Sequence, residues 1–162
     1  MHTRIIIDLL ALLVLANGTP VIINRLMGTR LLYPIDGGLT LADGQPLFGP
    51  SKTLRGLFFS LLVTATGALL LGMGWRLGVV IGAIAMGGDL FSSFCKRRLR
   101  LVAGSRATGL DQIPESLFPI LACRPALSLT VLDIGVTVAI FLVGEMILSV
   151  LFFKLRLRER PY

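Results

Sequence analysis

Asp89, Ser92, Ser93, Lys96, Arg97 and Arg100 recur at i, i+3, i+4, i+7, i+8 and i+11 in and just beyond the stretch GDLFSSFCKRRL, residues 88–99. On a helix this spacing gathers all six side chains on one face. Asp89 would then sit about 10 Å along the axis from Lys96, inside an otherwise apolar segment. A charge placed there is expensive unless something answers it. Two answers are open from the residues alone. Asp89 pairs with Lys96 or Ser93 as a structural bond beneath an ordinary basic cap, or the whole stripe faces the bundle interior and holds a charged ligand. The second is the working expectation.

Two other polar stretches could converge on that stripe. FGPSKTLRG, residues 48–56, sets Lys52, Thr53 and Arg55 beside glycines at the mouth of an apolar helix. Backbone N–H groups and a helix N-terminus there can hold phosphate, helped by two cations. The stretch is not a Walker A loop, because Pro46 stands where the first glycine belongs. GLDQ, residues 109–112, brings Asp111 to the start of a fourth apolar segment, where helix capping is the simplest alternative role.

Carboxylates without imidazole or thiolate partners suit a hard cation such as Mg²⁺, which takes carboxylate, water and phosphate oxygens. With one histidine in the chain and two isolated cysteines, zinc sites and histidine-based triads are excluded. Lysines and arginines beside the carboxylates suit phosphate. The combination predicts a metal–polyphosphate site within reach of lipid, fit for a reaction between a nucleotide and a lipid phosphate. Such a phosphate is largely ionised near neutral pH, with a second pKa of about 6. The reaction therefore needs positioning and charge stabilisation more than a general base.

The elements that must hold these groups are membrane helices. Of 162 residues 54% are hydrophobic and only 15% charged, more apolar than a soluble domain of this length. Apolar runs at 5–23, 57–73, 77–94 and 134–153 approach the ~20 residues that cross a bilayer. Lipid offers the backbone no hydrogen-bond partners, so the spans are helical. The expected fold is a single all-α integral membrane domain over 1–162, with helices at about 5–26, 57–73, 77–95, 113–126 and 129–153.

The net charge of +7 reads as topology, not as nucleic-acid binding. With five spans and the N-terminus outside, only Arg4, Arg76 and Arg124 of the sixteen basic residues fall outside. The C-terminus and two loops, which carry Arg106 and the run KLRLRER (154–160), then lie in the cytoplasm, as the positive-inside rule favours. The opening MHTR and the run ending VLANG look like a signal peptide. The apolar pattern continues past them, however, and a retained first helix is expected. Within that helix ANGTP should kink or unwind the backbone at Gly18 and Pro20, with Asn17 either contacting substrate or bonding a neighbouring helix. Residues 27–56 form a long polar loop containing Asp36. The fourth segment, IPESLFPILACRPAL, is short and broken by two prolines, yet the charge bias argues that it crosses.

Taken in order, ANGTPV, PIDGG, FGPSKTLRG, GDLFSSFCKRRL, GLDQIP and the terminal RPY closely resemble the CDP-archaeol synthase family, small relatives of phosphatidate cytidylyltransferase. The resemblance implies transfer of CMP from CTP to a lipid phosphate with Mg²⁺. It implies Asp89 and Asp111 as metal ligands, with Lys96 beside them in catalysis. Contacts to CTP phosphates would come from Lys52, Thr53, Arg55, Ser93, Lys96 and Arg97. Asn17, Asp36, Glu115 and Glu145 remain as lipid-contacting or structural positions. The chain departs from its relatives at Pro114 and Glu115, where larger enzymes carry a further aspartate. It departs again at Glu145 and Ser149, where His and Asn would be expected. The partners implied are CTP, a lipid phosphate (archaeol-type or phosphatidic acid) and the cell membrane, which a multi-pass chain would occupy. A homo-oligomer is compatible, and a nucleic acid is not expected. The D-G-x₂-A-R pattern of CDP-alcohol phosphotransferases is absent. The alternative is a non-catalytic lipid-binding or transport protein in which Asp89 and Glu145 line a pathway.

Overall fold

The computed structural model describes residues 1–101, 107 and 109–154, with the side chains of 149 and 151–154 excluded. Arg106, Ser149 and the basic run after residue 154 therefore lie outside what is described below. Five helices follow in order: α1 (Thr3–Met27), α2 (Leu54–Leu70), α3 (Trp75–Arg98), α4 (Gln112–Leu127) and α5 (Val131–Lys154). Among the described residues the only β pairing is two isolated bridges within residues 34–53. Three helices, α1, α3 and α5, are long and apolar enough to cross a membrane; α2 is a shorter apolar helix. Sixteen residues give α4 a length of about 24 Å, and it runs without a break through Pro119 and Pro125.

Successive helices alternate in direction, which gives the bundle two different ends. The loops 28–53 and 99–111 share one, here the loop end. The short turns 71–74 and 128–130 and the N-terminus share the other, the turn end. α3 packs on α1, α2 and α4, and α5 lies against α1 and α4. Between them is an apolar core that includes Leu9, Leu12, Leu13, Ala68, Ile81, Ile120 and Phe141.

Helix α1 does not unwind at Gly18 and Pro20 as expected; it is continuous from Thr3 to Met27. Proline at 20 has no N–H to give the carbonyl of Ala16, four residues back. The Ser60 hydroxyl of α2 donates to that carbonyl at 2.7 Å, so the orphaned acceptor is satisfied across the helix pair and the helix persists. Asn17 likewise turns back, its Nδ2 donating to the Leu13 carbonyl at 3.0 Å. Helix α2 begins at Leu54, ahead of its apolar run, because Thr53 caps it: the Thr53 hydroxyl accepts from Gly56 N at 3.3 Å.

Candidate active site

The long loop before α2 is ordered around one carboxylate. Asp36 Oδ2 accepts from the backbone N–H groups of Phe48 (2.9 Å) and Gly49 (3.0 Å), and Oδ1 accepts from Gly38 N (3.0 Å). Burial acts to raise the pKa of Asp36, but the Gly49, Phe48 and Gly38 amides together hold it below the usual aspartate value. The loop's return strand is also tied to its start, with Ile35 N donating to the Lys52 carbonyl at 2.8 Å and Leu54 N to the Tyr33 carbonyl at 3.0 Å. Arg98, the last residue of α3, fastens the tip. Its Nη1 lies 2.5 Å from Asp43 Oδ2, and its Nη2 donates to the Pro46 carbonyl at 2.7 Å. Sequence spacing gave no sign of this clamp, because the partners are more than fifty positions apart.

So anchored, the loop delivers Lys52 to α3. Lys52 Nζ lies 2.6 Å and 2.5 Å from the two oxygens of Asp89. Burial favours the neutral amine, but Asp89 outweighs it and raises the Lys52 pKa, so this side chain stays an ammonium through the physiological range. The partner of Asp89 is thus Lys52, not the Lys96 that helical spacing suggests. Lys96 instead reaches Asp111, with Nζ 2.7 Å from Oδ1. Asp111 makes no side-chain cap hydrogen bond to α4; its Oδ2 accepts from Ala107 N at 3.0 Å within the second loop. Ser92, Ser93, Lys96 and Arg97 are all buried, which puts the stripe on the interior face. Arg100 leaves it, exposed and at φ 57° just after the helix.

Glu115, in the first turn of α4, completes the group. It is 7% exposed and its carboxyl is a close electrostatic neighbour of that of Asp89. Helix α4 can come this close because α3 has a glycine at the crossing: a Cβ on Gly88 would lie 2.6 Å from the Pro114 carbonyl carbon and 2.8 Å from Glu115 N. Ser92 donates to the Leu110 carbonyl at 2.7 Å and ties the second loop down beside it. Glu145 of α5 lies near enough to Glu115 to interact with it electrostatically.

Two residues expected to contact phosphate are committed elsewhere. Arg55 is 6% exposed, and its Nε and Nη2 donate to Asn24 Oδ1 at 3.2 and 2.9 Å. Nη2 also reaches the Gly28 carbonyl at 2.7 Å, and Nη1 bonds the Arg30 carbonyl. It is a cation closing the C-terminus of α1, where the helix dipole favours one. Thr53 spends its hydroxyl on the α2 cap, and the Phe48 and Gly49 amides are spent on Asp36.

Among the described residues no three His, Cys, Asp or Glu side chains group into an all-protein cage. Mg²⁺ does not need one, since it usually takes one or two carboxylates and fills its octahedron with water and phosphate oxygens. Asp89 and Glu115 supply such a pair. Two carboxylates brought close together repel each other, and a dication between them relieves that repulsion. The residues fit, and Glu115 joins Asp89 and Asp111 as a candidate ligand.

An all-helical apolar bundle with buried ammonium and carboxylate groups gathered at one end defines an intramembrane enzyme that handles phosphate groups. Comparisons with known proteins narrow this further. The family model for CarS-like CDP-archaeol synthases matches residues 71–162. A CDP-archaeol synthase of Thermococcus onnurineus is 37% identical over 143 residues, covering 82% of this chain and 79% of that one. One from Pyrobaculum islandicum is 30% identical over 152 residues, 91% of each. A solved intramembrane enzyme for archaeal membrane lipid biosynthesis superposes with a TM-score of 0.68 at 29% identity, over 86% of this chain and 91% of that one. The chain belongs to the CDP-archaeol synthase family and is a CTP-dependent cytidylyltransferase.

Proposed function

We propose that this enzyme transfers CMP from CTP to an archaeol-type lipid phosphate in the cell membrane, yielding a CDP-activated lipid and pyrophosphate. An oxygen of the lipid phosphate attacks the α-phosphorus of CTP. A new P–O–P linkage forms as the bond from the α-phosphorus to the bridging oxygen breaks, and pyrophosphate departs with that electron pair. The attacking oxygen is already ionised, so no side chain has to remove a proton. Lys52, Lys96 and Arg97 would bind and orient the phosphates, and their charges offset what develops on the leaving group. Mg²⁺, held by Asp89 and Glu115, would neutralise phosphate charge. Asp111 positions Lys96.

The observation that carries this reading is the crossed pairing of Lys52 with Asp89 and Lys96 with Asp111 at the loop end. Each pair joins two distant segments, and each offers a cation that a polyphosphate can claim. Charge distribution supports the placement of that end in the cytoplasm. Arg25, Arg30, Lys52, Arg55 and Lys96 through Arg98 and Arg100 lie there, against Arg4, Arg76 and Arg124 at the turn end, the bias the positive-inside rule describes. All five helices then cross.

Purified protein supplied with CTP and Mg²⁺ should form CDP-lipid and pyrophosphate from a glycerol phosphate carrying isoprenoid ethers, and do so faster than from phosphatidic acid. Equal or faster use of phosphatidic acid would overturn the lipid assignment. Lack of turnover with either lipid would overturn the reaction.

A further inference from the structure

The turn end carries a cavity that the reaction does not use. It measures about 440 Å³ and lies between the turn before α3 and the end of α4. A volume of that size falls within the roughly 300–1,000 Å³ of ordinary ligand sites. Among its lining residues Met73, Leu77 and Leu127 pack on the apolar core. Trp75, Arg76 and Ala126 line it too and are exposed. Trp75 stands about 21 Å along the α3 axis from Asp89, which sets the cavity apart from the reaction site.

Arg76 Cζ lies 5.6 Å from the centroid of the Trp75 ring, a cation–π distance. Stacking of this kind holds a guanidinium by its face and leaves its N–H edge to match a phosphate in bidentate fashion. Among the described residues no carboxylate pairs with Arg76, or with Arg124 one turn before Leu127 on α4. Arg4, at the same end, is answered by Asp8 at 3.9 Å. An ordinary interfacial belt accounts for an exposed tryptophan beside an arginine. It does not account for a cavity lined by side chains of the core with an unanswered cation among them. A soluble anion would have no use for the apolar lining, and a neutral apolar molecule none for the arginine. Both together fit one occupant, a phospholipid with an anionic headgroup.

We propose that this cavity binds an anionic phospholipid that the enzyme does not convert, with its phosphate on Arg76 and its upper chains against Met73, Leu77 and Leu127. The lipid comes from the leaflet that meets the turn end, away from Lys52 and Lys96. Seated there, it bridges the α2–α3 turn and the end of α4, and it stabilises the fold by mass action without entering the reaction. The site requires that the bundle sit in a membrane and is independent of the CMP-transfer reading.

Trp75 is the one tryptophan of the chain, so tryptophan fluorescence reports on this site alone. The full chain is reconstituted in phosphatidylcholine vesicles at about 0.15 M salt, where exposed charges are screened beyond about 8 Å. A rising share of the lipid is brominated on its upper chains, as phosphatidylglycerol in one series and phosphatidylcholine in the other. Bromine quenches an indole that it touches. Half-quenching should need roughly fivefold less of the anionic lipid, the preference expected of one arginine at a headgroup. Arg76→Gln should bring the two lipids level, whereas Arg4→Gln at the same end should leave the preference intact. Ala126→Phe narrows the cavity without touching a charge and should cut the preference by about half or more. Arg76 and Ala126 are exposed, so folding should survive both changes. Equal quenching by the two lipids in the unaltered protein overturns the site. A preference that survives Arg76→Gln or Ala126→Phe does the same. So does one that falls as far in Arg4→Gln, which would assign it to the overall positive charge. Quenching that is weak with both lipids and fades as protein concentration rises would put a second copy of the chain over the cavity, and overturns the site too.

Discussion

The two ends of the bundle enclose carboxylates, fully at the turn end and partly at the loop end, and they satisfy them by opposite means. At the turn end Asp133 is met by donors on or close to the backbone, from Thr130 beside it and His2 across the bundle. His2 N and Thr130 N donate to it at 3.0 Å each, Thr130 Oγ1 at 2.8 Å, and His2 Nδ1 lies 2.9 Å from Oδ2. Two of these donors are backbone, and the whole clasp joins the start of α1 to the start of α5. At the loop end Asp89 and Asp111 are met by the ammonium tips of lysines carried on other segments. A backbone donor cannot leave without unfolding its element, whereas a lysine tip swings away at the cost of a few torsions. The first arrangement is architecture. The second is a site whose internal partners a ligand can replace.

The largest expected effect follows from setting Asp89→Asn beside Asp133→Asn. The amide keeps the shape of Asp89 but loses the charge that balances Lys52 and would hold a dication. CMP transfer should fall by orders of magnitude, with near-normal yield of folded protein and a Mg²⁺ dependence shifted to higher concentration. Asp133→Asn should do the reverse, lowering thermal stability in detergent while leaving kcat close to normal in the folded fraction. An unchanged Mg²⁺ curve in Asp89→Asn would remove the metal from that position. Loss of turnover without loss of stability in Asp133→Asn would erase the distinction between the two ends.

A second contrast lies within a single stretch, SKTLR, whose lysine and arginine look equivalent on paper. Lys52→Ala removes a cation from the site, and the charge-assisted bond it would make to phosphate is worth about 1.5–3 kcal/mol. That corresponds to a loss of roughly ten- to a hundredfold in kcat/KM for CTP. Arg55→Ala should instead show up as instability, since it strips Asn24 and the carbonyls of Gly28 and Arg30 of their donor. Its folded fraction should retain most of the wild-type KM for CTP. A stable Arg55→Ala enzyme with a strongly raised KM would return Arg55 to phosphate binding.

That contrast also marks how far the sequence could be read. Five helices and the interior stripe of α3 were legible, because apolar run length and i, i+3, i+4 spacing are local signals. The helix starts fall within three residues of those expected, and the largest shift is at α2, where the Thr53 cap extends the segment ahead of its apolar run. Partner choice was not legible. Helical spacing sets Lys96 near Asp89 and offers Lys52 only as a residue that could converge on the stripe, yet which lysine meets which aspartate depends on how two loops fold over one bundle end. Arg55 and Lys52 separate for the same reason: the direction in which each side chain leaves the turn before α2 is a tertiary fact. The continuity of α1 through Pro20 depends on Ser60, forty residues away, which no pattern within α1 could report.

The smallest effect expected belongs to Asp36, which serves the loop end as Asp133 serves the turn end. It receives three backbone amides and no lysine, so it should behave as architecture inside the catalytic half. Its pKa is held below the ordinary aspartate value of 3.8. A folded-state pKa below the unfolded one stabilises wherever the unfolded chain would bind the extra proton less readily than it ionises. The contribution is therefore complete above the ordinary aspartate range and is lost as pH falls through the lowered value. Amide hydrogen exchange at Phe48 and Gly49, corrected for intrinsic rates, reads this directly. At neutral pH Asp36→Asn should reduce protection of both amides modestly, with kcat lowered only a few-fold because Lys52 is delivered less often. On acidification to a pH well below the ordinary aspartate range, the wild type should lose protection and converge on the variant. A protection difference that persists undiminished at that pH would mean the amides are held by something other than the ionised carboxylate. Asp36 would then lose its claim to be the strut that carries Lys52 to the site.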